Sequence, residues 1–192
     1  MSADDTNITE PQAIRAMAHP VRLAIMEYLG AQTSATATEC AAVVGLSPSA
    51  TSYHLRELAR YGLVVEAPGA DRRERRWRSA PRISVGQGSA DDPAVRDATQ
   101  LLSRLMVGRS DARAQTFLDS AGTEDPDWWD AALVSESRLW MTADELRTLA
   151  AALLDLLEPY RRGARTPPDG SRQVQVSLRA FPLPDEPPTD KS

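Results

Sequence analysis

Within LSPSATSYHLRELARYGLV (46–64), hydroxyl, phenol and guanidinium side chains recur at helical spacing. At about 100° per residue, Ser49, Tyr53, Arg56 and Arg60 share one side of a helix, with Ser52 on its flank. Thr51, Leu55, Leu58 and Gly62 form a narrow stripe on the other side. Packing explains the leucine stripe. It does not explain the polar side, which runs from short hydroxyls to a ring with a donor and then to guanidinium groups. Such a face donates hydrogen bonds and positive charge, and so suits an acceptor-rich, negatively charged partner. A second cluster follows in DRRERRWR (71–78), where six consecutive charged residues at 71–76 include Arg72, Arg73 and Arg75. Chemistry of the catalytic kind has little support: there is no nucleophile elbow, no phosphate-cradling glycine loop and no HExxH. Acidic residues are scattered over amphipathic faces rather than paired in an apolar setting.

The elements that would carry these clusters can be read on either side of them. Residues 10–30 read as two helices divided at His19-Pro20, because Pro20 disfavours helical geometry at His19 and suits a first helical position. Val21, Ile25, Tyr28 and Leu29 then share one face, and Gly30 ends the run. Residues 35–46 read as a shorter helix with Ala41, Val44 and Leu46 inward and Gly45 as its stop. Ser47 can cap the helix that follows, with Pro48 in its first turn. Residues 63–85 read as a hairpin in which Val64, Val65 and Trp77 are strand formers, while Pro68-Gly69 and Asp71 supply the turn. Helix, short turn, helix with an outward polar face, then basic hairpin: this meets the physical specification of a winged helix-turn-helix. Such a helix fits the major groove of B-DNA with its N-terminal residues at base edges. The hairpin lies along the backbone or enters the minor groove.

A Gly/Ser/Asp-rich stretch at 86–92 is the linker candidate. Beyond it, 93–120 reads as a long helix with Val95, Ala98, Leu102, Leu105, Ala112 and Thr116 near heptad spacing, and 121–127 breaks it. Residues 131–141 alternate as a strand. A capping box, Thr142 with Glu145, opens a helix whose apolar face holds Leu146, Leu149, Leu153, Leu156, Leu157 and Tyr160. Val174, Val176 and Leu178 alternate again in a second strand. The expected fold class is therefore α+β, mainly helical with small β elements: a winged helix-turn-helix over 10–85, then a helix and a strand-helix-strand unit over 93–183. Residues 184–192 are expected to be a disordered tail.

Bulk composition narrows the class of partner. The chain has 192 residues and a net charge of −5, which argues against a protein that coats nucleic acid along its whole surface. Yet residues 47–82 hold eight Arg against four acids, while 83–192 carry twelve basic residues against eighteen acids. Positive charge is local, so it marks a site. Arg outnumbers Lys 21 to 1, a skew that most simply reflects a GC-rich genome. Cys40 is alone, which rules out an intrachain disulfide and a thiolate zinc site within one chain. The acidic, polar N-terminus is neither a secretory signal nor a transit peptide, and a cytoplasmic location is expected.

MAHPVRLAIMEYL (17–29), LSPSATSYHLRELARYGLV (46–64) and the charged wing, in that order, resemble the ArsR-type winged-helix repressors of bacteria over about residues 10–82. The resemblance implies a homodimer that blocks transcription by binding its operator and is released by a ligand or metal. It places Ser49, Ser52, Tyr53 and Arg56 in the groove and Arg72, Arg73 and Arg75 on the backbone. With Ser47, His54 and Arg60 these form the candidate DNA-binding set. Two departures stand out: Cys40 has no partner cysteine and 93–120 has neither His nor Cys, so no metal site or other cofactor is expected, and about a hundred C-terminal residues are added.

Plainer readings stand beside these. His54 flanks the core stripe and suits a structural or capping role as well as a phosphate contact. His19 suits a turn, and Cys40 a small buried apolar position. Trp77 suits the core under the wing. Trp128 and Trp129 suit either a ligand pocket or packing. The C-terminal unit has two candidate tasks, extending a dimer interface or holding a small organic effector. Its two strands are too few to stand alone, which favours pairing across a dimer or packing on the long helix. The alternative to DNA binding is a winged-helix module that docks a protein partner. Protein docking would call for apolar anchors on the exposed face, where the chain supplies Arg and Ser.

Overall fold

The computed structural model describes residues 6–68, 75–80, 83–85, 91–160 and 166–184. Arg72, Arg73 and the tail at 185–192 lie outside the described residues.

The chain is α+β, mostly helical with small sheets. Strand β1 (Thr6–Ile8) leads into α1 (Pro11–Met17) and α2 (Pro20–Ala31), which part at His19 as Pro20 requires. The His19 Nδ1 accepts the Val21 N–H at 3.2 Å, so this residue caps α2. After β2 (Ala35–Thr36), α3 (Ala37–Val44) opens on a capping box in which the Glu39 N–H donates to Thr36 Oγ1 at 3.1 Å and the Thr36 N–H donates to Glu39 Oε2 at 2.6 Å. Helix α4 (Pro48–Arg60) follows, then β3 (Val64–Glu66), β4 (Arg76–Ser79) and β5 (Ile83–Val85).

The wing strands β3 and β4 pair antiparallel with Val65 opposite Arg78, and β2 adds to the other side of β4 with Ala35 opposite Trp77. The sheet order is therefore β2-β4-β3. It ties the entry of α3 to the wing. One continuous core lies beneath, formed by Ile14, Met17, Ile25, Leu29, Cys40, Leu55, Leu58, Leu63, Val64 and Trp77. Helix α5 (Pro93–Asp119) adds Val95, Ala98 and Leu102 to that core and packs against α1. Farther along α5, Arg109 and Arg113 reach back to Glu27 on α2 at 2.7 and 2.5 Å. Burial alone would raise the Glu27 carboxyl, but the Arg109 and Arg113 guanidinium groups prevail and hold it below the usual carboxylate range.

Several elements differ from expectation. Residues 6–8, in the polar N-terminal stretch, form β1 and pair in parallel with β5, with Ile8 opposite Val85. Leu46, expected inward, is exposed, whereas Cys40 is enclosed as its apolar neighbours suggest. The chain divides into compact units after Gly122, which groups α5 with the helices and sheets before it. A short helix, α6 (Pro126–Ala131), occupies what reads as a loop, because Asp125 Oδ1 accepts from Asp127 N–H and Pro126 fills the first position.

In the second unit, α7 (Ala143–Leu157) forms on its capping box as expected. Residues 131–141 and 172–184, expected as strands flanking it, belong to no sheet among the described residues, and Ala131 ends α6. A strand needs a neighbouring strand for its ladder, and neither segment has one among the described residues.

Leu55 is fully enclosed. Leu55→Ala is expected to lower stability by about 3 kcal/mol, within the usual range for a deleted core leucine. Urea unfolding followed by circular dichroism checks this, read as a shift in midpoint with an unchanged slope.

Candidate nucleic-acid interface

Helix α4 is held at both ends and along one side. Gly45 ends α3 at φ +68°, a conformation that a side chain would strain, and the Leu46 N–H closes back on the Ala41 carbonyl at 3.2 Å. Two residues on, Ser47 Oγ accepts the Ala50 N–H at 3.2 Å and Pro48 supplies the preset first position. Thr51 is fully buried, and its hydroxyl donates to the Ser47 carbonyl at 3.0 Å. With Leu55 and Leu58, also fully buried, it forms the anchoring stripe.

The opposite side of α4 is open. Ser49, Tyr53, Arg56 and Arg60 are all exposed, Tyr53 at 53%, and Ser52 is half-buried beside them. Ser47 is exposed too, although its hydroxyl oxygen already serves the cap. Arg60 lies 5.7 Å from the centre of the Tyr61 ring.

Ser52 and Arg56 share a cleft of about 340 Å³ with Thr36, Thr38, Arg75 and Trp77. The Arg75 guanidinium and the hydroxyls on one side of this open cleft suit an oxyanion such as a phosphodiester, while Arg56 enters it from the outward face of α4. Arg75 stands at the base of the wing, 3.0 Å from Glu66 and 5.7 Å from the centre of the Trp77 ring. Its pair with Glu66 is more than half exposed on both sides, so it is weak and exchangeable. Arg76 is committed elsewhere: it donates to the Ser34 hydroxyl at 3.0 Å and to Glu39 at 3.2 Å. The Thr36 N–H bond, helped by Arg76, keeps the Glu39 carboxyl below its ordinary range.

His54 does not share the open face. It is half-buried, its ring centre 5.1 Å from that of His19, and its Nδ1 is enclosed without a hydrogen-bond partner among the described residues. Burial, reinforced by the nearby His19 and Arg22, lowers its pKa. Arg72 and Arg73 fall outside the described residues. Cys40 is fully enclosed, and burial pushes its thiol up to about 11, which leaves scarcely any thiolate for redox or metal chemistry. No cluster of three or more His, Cys, Asp or Glu suited to a metal occurs among the described residues. Thr36 and Thr38 were not singled out from sequence, though the TATE capping box (36–39) carries the signal that places them at a helix start.

Residues 17–67 match the family described as "Helix-turn-helix domain". The matched segment runs from the end of α1 through α4 and into the wing. This part of the chain is a helix-turn-helix. A 59-residue stretch is 39% identical to HTH-type transcriptional regulator YgaV of Escherichia coli (strain K12), covering 31% of this chain. The chain spans 60% of that relative's length. Among solved structures, a mutant of Lactococcus lactis ZitR in apo form aligns at 15% identity with a TM-score of 0.35, over 75% of this chain and 84% of that one.

A pH dependence follows from His54. Its pKa in the folded chain is below the ordinary value of about 6.5, so the unfolded chain takes up the proton first and stability falls as pH drops through about 6.5. Thermal melts at pH 7.5 and 5.5 are expected to show this loss, and His54→Gln is expected to shrink it. An equal loss in the variant would assign the effect to other groups.

Proposed function

We propose that this protein is a DNA-binding transcriptional regulator of the ArsR type, a homodimeric repressor that reads a palindromic operator in the cytoplasm. The observation that carries the reading is the two-sidedness of α4: Thr51, Leu55 and Leu58 wholly enclosed, Ser49, Tyr53, Arg56 and Arg60 wholly outward. A helix fixed along one side presents the other at constant geometry, which base-edge recognition needs. Ser49 and Tyr53 then sit in the major groove near the α4 N-terminus, with Arg56 reading a base edge, guanine above all. Ser52, Arg75 and the cleft they share take the phosphodiester backbone, joined by Arg72 and Arg73 of the wing tip. Ser47 positions the helix, and His54 supports it from within.

Residues 10–85 carry the DNA contacts in this reading, and the residues from 93 to 183 carry dimerisation, with a small organic effector as the ligand that would shift the spacing of the two α4 helices. Outward Leu101, Met106 and Val107 on α5 support a dimer surface. Regulation without catalysis agrees with the HTH-type regulator as relative. No described helix is long and apolar enough to cross a membrane.

Fluorescence anisotropy with duplexes selected from a random pool tests the reading. Affinity is expected to fall steeply between 50 and 200 mM salt, by roughly tenfold or more. Arg56→Ala is expected to relax discrimination at one base pair, by about 1–3 kcal/mol, while Arg75→Ala weakens all duplexes alike and reduces the salt slope by about one. Salt-independent binding, or two folded variants that bind like the parent, would transfer the reading to a protein-docking module.

A further inference from the structure

We propose that residues 123–184 form half of a domain that is completed by the same residues of a second copy, with the segments 132–141 and 172–183 pairing as strands between copies. The proposal deepens the homodimer reading above and rests on it only for the presence of two chains.

The starting observation is that no described residue of 123–184 is buried. This is a unit with a capping-box helix and a broad apolar face, yet none of its described residues is enclosed. On α7, Leu146, Leu149, Leu153 and Leu157 are half-buried, none of them enclosed, while Leu154 and Leu156 are exposed. In the first extended segment Leu133, Val134 and Leu139 are open and Trp140 is wholly bare; in the second, Val174, Val176, Phe181 and Leu183 are open. Val174, Val176 and Leu178 alternate as in a strand, and so many open large apolar side chains in two short segments have no reason to be there without a covering partner.

The amount of uncovered surface indicates the occupant. Trp140 at 101% and Leu133 at 84% head thirteen exposed large apolar residues in this unit, whose side chains together expose on the order of 1,000 Å², summed over both segments and α7. The largest apolar patch on an ordinary monomer is about 300–600 Å², and a stable dimer needs about 800 Å² from each partner. A second copy meets that requirement with the same segments. One chain offers two strand-spaced segments and one amphipathic helix, too little for a sheet; two chains offer four strands under two helices, a two-layer unit with its own core. The two strand segments carry only Glu136, Arg138, Arg172 and Arg179 as charges, and Arg172 is held by Glu124 of the same chain at 2.7 Å. Like-charge repulsion between the copies is therefore small. The shape of the segments agrees. They are extended without any ladder among the described residues, and turned off from α7 by the Thr142 cap on one side and by Gly170, at φ +75°, on the other.

The test uses the full chain at 1–100 µM, by sedimentation and by hydrogen–deuterium exchange read peptide by peptide. The expected result is a dimer in which amides of 132–141 and 172–183 are protected, with protection lost on dilution to monomer. Val176→Pro removes one backbone donor at an exposed site and is expected to weaken the dimer at least tenfold, while the exchange of α1 to α4 stays unchanged; Trp140→Asp is expected to do the same, and Val176→Ile to dimerise like the parent. A monomer with these amides protected would show pairing within one chain and overturn the proposal. So would a dimer whose 132–141 and 172–183 amides exchange freely, or one indifferent to Val176→Pro, and either would leave the homodimer reading intact through α5. Duplex binding, measured separately, decides the DNA reading whichever way this falls.

Discussion

The interior of α4 sets the rest of the N-terminal structure. Thr51, Leu55 and Leu58 are wholly enclosed, and the turn before them is closed by Gly45 and by the Ser47 cap. These constraints fix the rotation of the helix about its own axis. Rotation by one residue, about 100°, would drive a leucine into solvent and bury an arginine without a partner, at a cost of several kcal/mol. The outward chemistry of Ser49, Tyr53, Arg56 and Arg60 is therefore set by the inward packing, and the β2-β4-β3 sheet brings Arg75 to the same cleft.

Much of this was legible in the chain before any coordinates. Period-3.6 spacing separated the two sides of α4, Pro20 and Pro48 marked helix starts, and Gly45 marked a stop, because each rests on local chemistry within one turn of helix. Local reasoning failed where the deciding partner is distant in sequence. Strand β1 exists only because β5 lies beside it, and three polar-flanked residues carry no signal of that. Helix α6 was hidden by its acidic, proline-containing start, which reads as a loop although Asp125-Pro126 is also a helix opening. In the site itself, the outward residues followed from the helical wheel. The engagement of Arg76 with Ser34 and Glu39 did not, since it spans about forty residues of chain and depends on register in the sheet.

The two halves of the chain differ in how they meet the need for a core. The N-terminal unit encloses Ile14, Ile25, Leu29 and their neighbours and uses α5 as a lid over α1. The C-terminal unit has the pattern of a core without its closure: apolar alternation, a well-capped helix and no enclosed residue among those described. Pattern and burial normally agree in a folded chain. Where they part, a neighbour of the kind proposed above would reconcile them, and the alternation at Val174, Val176 and Leu178 suits a strand as that neighbour.

The Arg75–Glu66 pair has a consequence for how the cleft accepts an anion. In the free protein the wing-base guanidinium already leans on a carboxylate of the adjacent strand at 3.0 Å, above the face of Trp77. In the DNA-binding reading a phosphate would take the place of that carboxylate at a cost of at most about 1 kcal/mol, so Glu66 is an internal counterion that yields readily to the anion replacing it.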